Sequence, residues 1–208
     1  MSHPEQVKAK NVAFLTELGL EVNQGLPCVE APEELQQRSA SDVANMFLAL
    51  SWMVKVGHGL PVAQAKAQLE ERGLTHILGS EARSILESGT LTAQQEVNLT
   101  WQVEGAQALA WALDLADLDH TLGCDEDVAE VMLSDTDVSG SLKNAQLRPV
   151  AELQEQVDLM YRLHWYTVNC RITGQECEIN ESIIRERRRA LEWIYGVDED
   201  WDDIPLDT

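Results

Sequence analysis

Apolar residues recur along this chain at spacings of three and four, between boundaries marked by glycine and proline. Those boundaries are GLP at 25–27, GHGLP at 57–61, GS at 79–80, SG at 139–140 and TGQ at 173–175. The spacing between them predicts helices over 4–18, 40–56, 61–73, 80–88, 92–117, 125–133, 149–172 and 180–196. Several starts carry capping chemistry: Ser39 or Ser41 before the second helix, Thr92 with Gln95 as a capping box, and Pro149 near a first turn. No stretch alternates well enough to predict a strand, and no long repeat shows. The expected fold is all-α, a single-domain bundle of about seven to eight helices over residues 1–208, with an ordered C-terminal tail. SDTDVSGS at 134–141 is expected as a surface loop.

Helical projection separates the faces. In 92–117, Val97, Trp101, Ala108, Trp111, Ala112 and Leu115 share one arc with Glu104 inside it, while Glu96, Gln107 and Asp114 take the opposite side. In 180–196 the apolar stripe is Ile183, Ile184, Leu191, Ile194 and Tyr195, with Arg187 in its middle and Arg188 at its edge. Arg185, Arg189 and Glu192 are expected to face water. Arginine does not give up its proton, so a buried Arg187 needs an anionic partner. The helix at 149–172 is apolar on two sides, Leu153, Val157, Tyr161, His164, Trp165, Val168 and Ile172 on one and Leu159, Leu163, Tyr166 and Cys170 on the other. That is the profile of a central helix. Asp158 and Arg162 lie in the narrow polar strip between, an i,i+4 pair of favourable polarity.

Charge changes the picture. The 208 residues carry 15 basic and 36 acidic side chains, a formal net charge of −21. Such a field repels nucleic acid and anionic membrane surfaces and favours basic partners. Cys28, Cys124, Cys170 and Cys177 are scattered without metal-site spacing and read as free thiols in a reducing cytoplasm. The N-terminal MSHPEQVKAK has no apolar signal region, and the apolar run MFLALSWMV is far too short to span a bilayer.

WQVEGAQALAWAL (101–113), LRPVAELQEQVDLMYRLHW (147–165), RERRRALEWI (185–194) and the closing WDDIPLDT (201–208) together resemble the family known as domain of unknown function 4272. The resemblance spans most of the chain and is most specific in residues 91–208. It implies a mostly helical bacterial domain and brings no activity, substrate or cofactor with it. At Asn45 the sequence departs from it, since an arginine is expected there.

The segment DEDWDDIPLDT at 198–208 places a Trp and an Ile among six acids, directly after an arginine-rich helix that closes at Gly196. We expect this tail to fold back as a clasp, with Trp201 and Ile204 covering apolar surface. Asp202, Asp203 or Asp207 would then approach Arg187, Arg188 or Arg162.

The candidate cluster is therefore Glu104, Asp158, Arg162, Arg187, Arg188, Trp201, Asp202 and Asp203. Converging in a pocket, Glu104, Asp158, Arg162 and Arg187 would offer a general base and an anion clamp; as internal ion pairs they would fix helix register. His164 reads as a satisfied core residue. His58, between glycines, has no partner at ligand spacing, and His120 beside Cys124, Asp125 and Asp127 lacks a second histidine. Asp135 and Asp137 lack the glycine offset and terminal glutamate of a calcium loop. No cofactor or metal is expected. Nucleophile-elbow, phosphate-loop, dinucleotide and zinc-protease motifs are absent from the sequence. Two classes remain: a non-catalytic protein-binding domain docking a basic partner, of adaptor or toxin-neutralising type, or a small-molecule enzyme or sensor built on the Glu/Asp/Arg cluster.

Overall fold

Capping chemistry sets the helix starts. Ser39 accepts the Asp42 N–H (3.1 Å) while the Asp42 carboxylate accepts the Ser39 N–H (3.1 Å), and Thr92 and Gln95 form the same reciprocal box at 3.2 and 2.9 Å. In the computed structural model, which describes residues 3–134, 139–197 and 200–208, the described residues form nine α-helices and no strand. These are α1 (His3–Glu17), α2 (Ala40–Gly57), α3 (Val62–Glu71), α4 (Ser80–Ser88), α5 (Ala93–Ala112), α6 (Glu126–Leu133), α7 (Ser139–Leu142), α8 (Val150–Thr173) and α9 (Glu181–Tyr195). The all-α expectation holds. The short α7 starts within the segment expected as loop and runs one residue past it; Asp135 and Asp137 lie outside the described residues.

The helices pack in a series. α1 lies on α8, α8 on α9, α9 on α5 and α5 on α2, with α3 and α6 added to α2. One apolar core runs through them from Leu15 to Ile204. The middle of this series is α9, and α8 sits one layer out, so Ile172 on its expected apolar arc is exposed to solvent. Among the described residues no helix is long and apolar enough to cross a membrane.

Two helix ends need tertiary partners. α5 stops at Ala112, short of the expected 117, because the chain turns through a left-handed Asp114 (φ 58°) and residue 148 takes over the free carbonyls. The Arg148 N–H bonds the Ala112 carbonyl at 2.9 Å, and its Nε bonds that of Trp111 at 2.7 Å. Leu115, beyond this stop, and Val97 near the helix start are exposed and not on a buried arc. α9 ends at Gly196 (φ 92°), where the Arg38 N–H meets the Ile194 carbonyl at 3.0 Å. A Cβ at Gly196 would collide with the Gln36 carbonyl, so this left-handed cap is also a close chain crossing.

Candidate functional site

The inward side of α9 carries the cation that the apolar stripe places there. Arg187 is 1% exposed and donates from Nη2 and Nε to Glu104 Oε2 on α5, at 2.8 and 3.1 Å. Its Nη1 donates to the Asp119 carbonyl. The second carboxylate oxygen, Glu104 Oε1, accepts the Cys124 N–H at 2.9 Å. Gln107, expected on the water side of α5, is buried instead and works beside Glu104. Its Nε2 donates to the Asp117 carbonyl (2.7 Å) and Asp125 Oδ2 (2.9 Å), and its Oε1 accepts the Asp125 N–H (3.1 Å). Three buried side chains thus hold the connection between α5 and α6 from beneath. Burial first, and then the charge of Glu104, push the Cys124 thiol up to about 12. Burial is also what holds His120 below its ordinary range.

Arg188 works differently. Its Nε donates to Glu192 Oε1 one turn along α9 at 2.7 Å, which places Glu192 inside and not in water as its position on the wheel suggested. Its Nη1 meets His164 Nδ1 at 2.9 Å, and its two terminal nitrogens reach the carbonyls of Asp207 (3.0 Å) and Pro205 (3.3 Å). A guanidinium only donates, so His164 Nδ1 must offer a lone pair and the ring is neutral with its proton on Nε2. Burial, followed by the Arg188 charge, takes His164 down to about 4. Burial raises the Glu192 carboxyl despite its arginine partner.

The tail folds back, as its Trp and Ile suggest. Trp201 is 2% and Ile204 4% exposed; the Trp201 indole packs over Gly105, where an added Cβ would come within 3.3 Å of the ring, and edges Trp193 with centroids 5.8 Å apart. Of the three acids, Asp207 reaches Arg188 through its main-chain carbonyl, while Asp202 and Asp203 do not take the arginines assigned to them. Asp202 sits at the N-terminus of α4, accepting the Glu81 N–H at 2.7 Å and the Ser80 hydroxyl at 3.1 Å. A Cβ on Gly79 would come within 2.5 Å of that carboxylate. Asp200 pairs with Arg83 at 3.1 Å, and Asp203 lies exposed with its N–H on the Asp200 carbonyl (3.3 Å). Arg188, already neutralised by Glu192, needs acceptors more than a second charge, and the tail supplies neutral carbonyls. The carboxylates go where free helix donors and Arg83 await them.

The third group lies toward α1. Asp158 and Arg162, 0% and 2% exposed, form a two-point pair at 2.6 and 2.8 Å. Asn11 of α1 donates to Asp158 Oδ2 at 2.9 Å, and Arg162 Nη2 reaches the Pro27 carbonyl at 3.2 Å, leaving Nη1 buried without a partner. Among the described residues no hydrogen bond or ion pair joins this pair to Glu104 and Arg187. The four residues expected to converge in one pocket form two separate ties, because α5 brings Glu104 to Arg187 whereas Arg162 is paired within α8 by Asp158, which Asn11 of α1 also meets. Glu186 is also buried, between Arg185 (3.0 Å) and Arg189 (2.5 Å).

Chemically, the Glu104 pair is closed. Three donors already meet its carboxylate, and Arg187 has no exposed nitrogen to offer a substrate anion. A cleft of about 200 Å³ opens elsewhere, lined by Arg38, His76, Arg83, Trp193, Asp200 and Trp201. There Arg38 lies over the Trp193 ring at 4.8 Å and Arg83 is taken by Asp200. Asn45, at the position where an arginine is expected, lines a separate groove with Arg72 and Lys143.

Comparison with curated proteins and with solved structures finds no match. The chain does match one family, across the helices and the tail that carry these ties. Residues 7–204 fit the family described as domain of unknown function (DUF4272), and the chain belongs to it.

Proposed function

We propose that this chain is a non-catalytic protein-binding domain of the reducing cytoplasm whose acidic surface docks a basic partner. The observation that carries this reading is the inward use of positive charge. Lys8, Arg38, Lys55, Arg83, Arg148, Arg162, Arg187 and Arg188 all donate to main-chain carbonyls, so these eight of the 15 cations serve as internal fasteners. Most of the described carboxylates face water, Glu104, Asp158, Glu186 and Glu192 being buried. Residues 84–142 contain no lysine or arginine, and Asp117, Glu126, Asp127 and Glu130 within them are exposed. With three arginines and four carboxylates buried among the described residues, nearly all of the net negative charge stays on the outer surface, and such a field speeds and selects encounters with basic proteins. Four free thiols fit a reducing compartment.

The competing small-molecule reading needs Glu104 and Arg187 to face a pocket, and both are engaged from behind and below. The test is affinity capture from lysate at low salt, eluting with increasing salt. The proposal expects a defined basic protein that leaves between low and high ionic strength. Failure to retain any basic protein at low salt overturns it.

A further inference from the structure

We infer that the connection between α5 and α6, together with the end of α1, is the docking surface, and that it takes an amphipathic basic segment of a partner protein. This rests on the acidic-docking reading and locates it. Phe14 and Leu18 are one turn apart at the end of α1 and exposed, Leu18 by 49%. Phe14 meets the His120 ring edge-on, centroids 5.7 Å apart, which brings the loop against this face of α1. Two residues further on, Leu122 is 61% exposed. The Phe14–His120 contact joins the exposed Leu18 and Leu122 into what we take as one apolar strip, and Asp117, Asp119, Glu126 and Asp127 are exposed on the same connection and at the start of α6. Lys10, one turn before Phe14, is taken by Glu155 at 2.5 Å.

The strip is held in shape from inside. Arg187, Glu104 and Gln107 grip the loop at Asp119, Cys124, Asp117 and Asp125, and Asp119 Oδ1 accepts the Thr121 N–H at 2.7 Å. A loop fixed before encounter loses little conformational freedom on binding. Charge selects the occupant. A second copy of a chain with net charge −21 is repelled, as are nucleic acid and anionic lipid, whereas a segment with leucines on one side and lysines or arginines on the other satisfies both the strip and the exposed carboxylates.

The experiment measures fluorescence anisotropy with two labelled probes, an amphipathic leucine–lysine helical peptide and a scrambled peptide of the same composition. At low salt the amphipathic probe is expected to bind about tenfold tighter than the scrambled one. Leu122→Asp and Leu18→Asp each add negative charge, yet each is expected to weaken the amphipathic probe by about tenfold, as loss of one buried leucine contact predicts. Ile172→Asp, the same change at an exposed leucine-sized side chain on α8, leaves that preference intact. If Leu122→Asp and Leu18→Asp bind both probes as tightly as the unaltered protein or tighter, the strip is overturned. Equal, salt-sensitive binding of both probes to the unaltered protein also overturns it while the acidic-docking reading stands. Binding of neither probe at low salt overturns both.

Discussion

Two irregular segments hang from α9 by neighbouring arginines, and they are fastened in opposite ways. The tail after α9 sinks Trp201 and Ile204 into the core and offers Arg188 its carbonyls. The connection between α5 and α6 leaves Leu115 and Leu122 outside and is gripped by the polar atoms of Glu104, Gln107 and Arg187. Apolar burial in the first case marks a structural closure. In the second, buried polar groups present a greasy, acidic loop to solvent, an arrangement that stability alone does not require.

The comparison breaks most directly at the tail. Removing residues 200–208 deletes a buried Trp and a buried Ile, each worth about 2–5 kcal/mol, so thermal denaturation should show a melting temperature lowered by more than about 10 °C. An unchanged melting curve would mean that the tail closes nothing. Next in size is Arg187→Met, which leaves Glu104 buried without its cation at a cost of about 3–5 kcal/mol in urea unfolding. The same variant removes a charge that favours the Cys124 thiolate, so alkylation of this half-buried thiol at pH 8 should speed only through opening of the loop. Slow alkylation in the variant would show that Arg187 does not hold the loop.

The third prediction uses pH. His164 is neutral in the fold down to about 4, while in the unfolded chain it takes a proton near the ordinary histidine value of about 6.5. The unfolded state thus binds more protons between those values, and the contribution of neutral His164 is lost as pH falls from 6.5 toward 4, by roughly 3 kcal/mol at most. His164→Gln should flatten the urea stability profile in that window; a profile as steep as the original would assign the loss to other groups. Smallest is Asp202→Ala, which removes the carboxylate from the N-terminus of α4 and should cost about 1 kcal/mol, read as a shift in urea midpoint. No shift would show that solvent caps α4 equally well.

Much of the frame was legible because it is locally encoded. The starts of α2, α4 and α5 fall within a residue of expectation, since Ser39 and Thr92 carry their own capping oxygens before α2 and α5 and Gly79 punctuates the start of α4. The end of α5 was not, because its carbonyls are completed by Arg148, 37 positions from Trp111 in the chain. Arg187 was found because a cation in the middle of an apolar stripe is conspicuous. Gln107 and Glu192 were placed in water because a two-sided projection treats the far face as solvent, whereas α5 and α9 are enclosed by several neighbours. An i,i+4 spacing from Arg188 was the available signal for Glu192. Composition does not tell a carboxylate whether to choose a guanidinium or a helix N-terminus, and so Asp202 was misassigned.

The Glu104 to Arg187 tie spans 83 positions, and that distance has a kinetic consequence. Arg187 faces α5, so docking α9 against α5 with any residue other than Glu104 opposite it would bury a lone cation, which is strongly unfavourable. Partial docking is thereby penalised, and α9 settles only in the rotation that meets its distant glutamate. A tie between positions so far apart thus selects one rotation of α9 against α5, and contacts of such long sequence separation form late in folding.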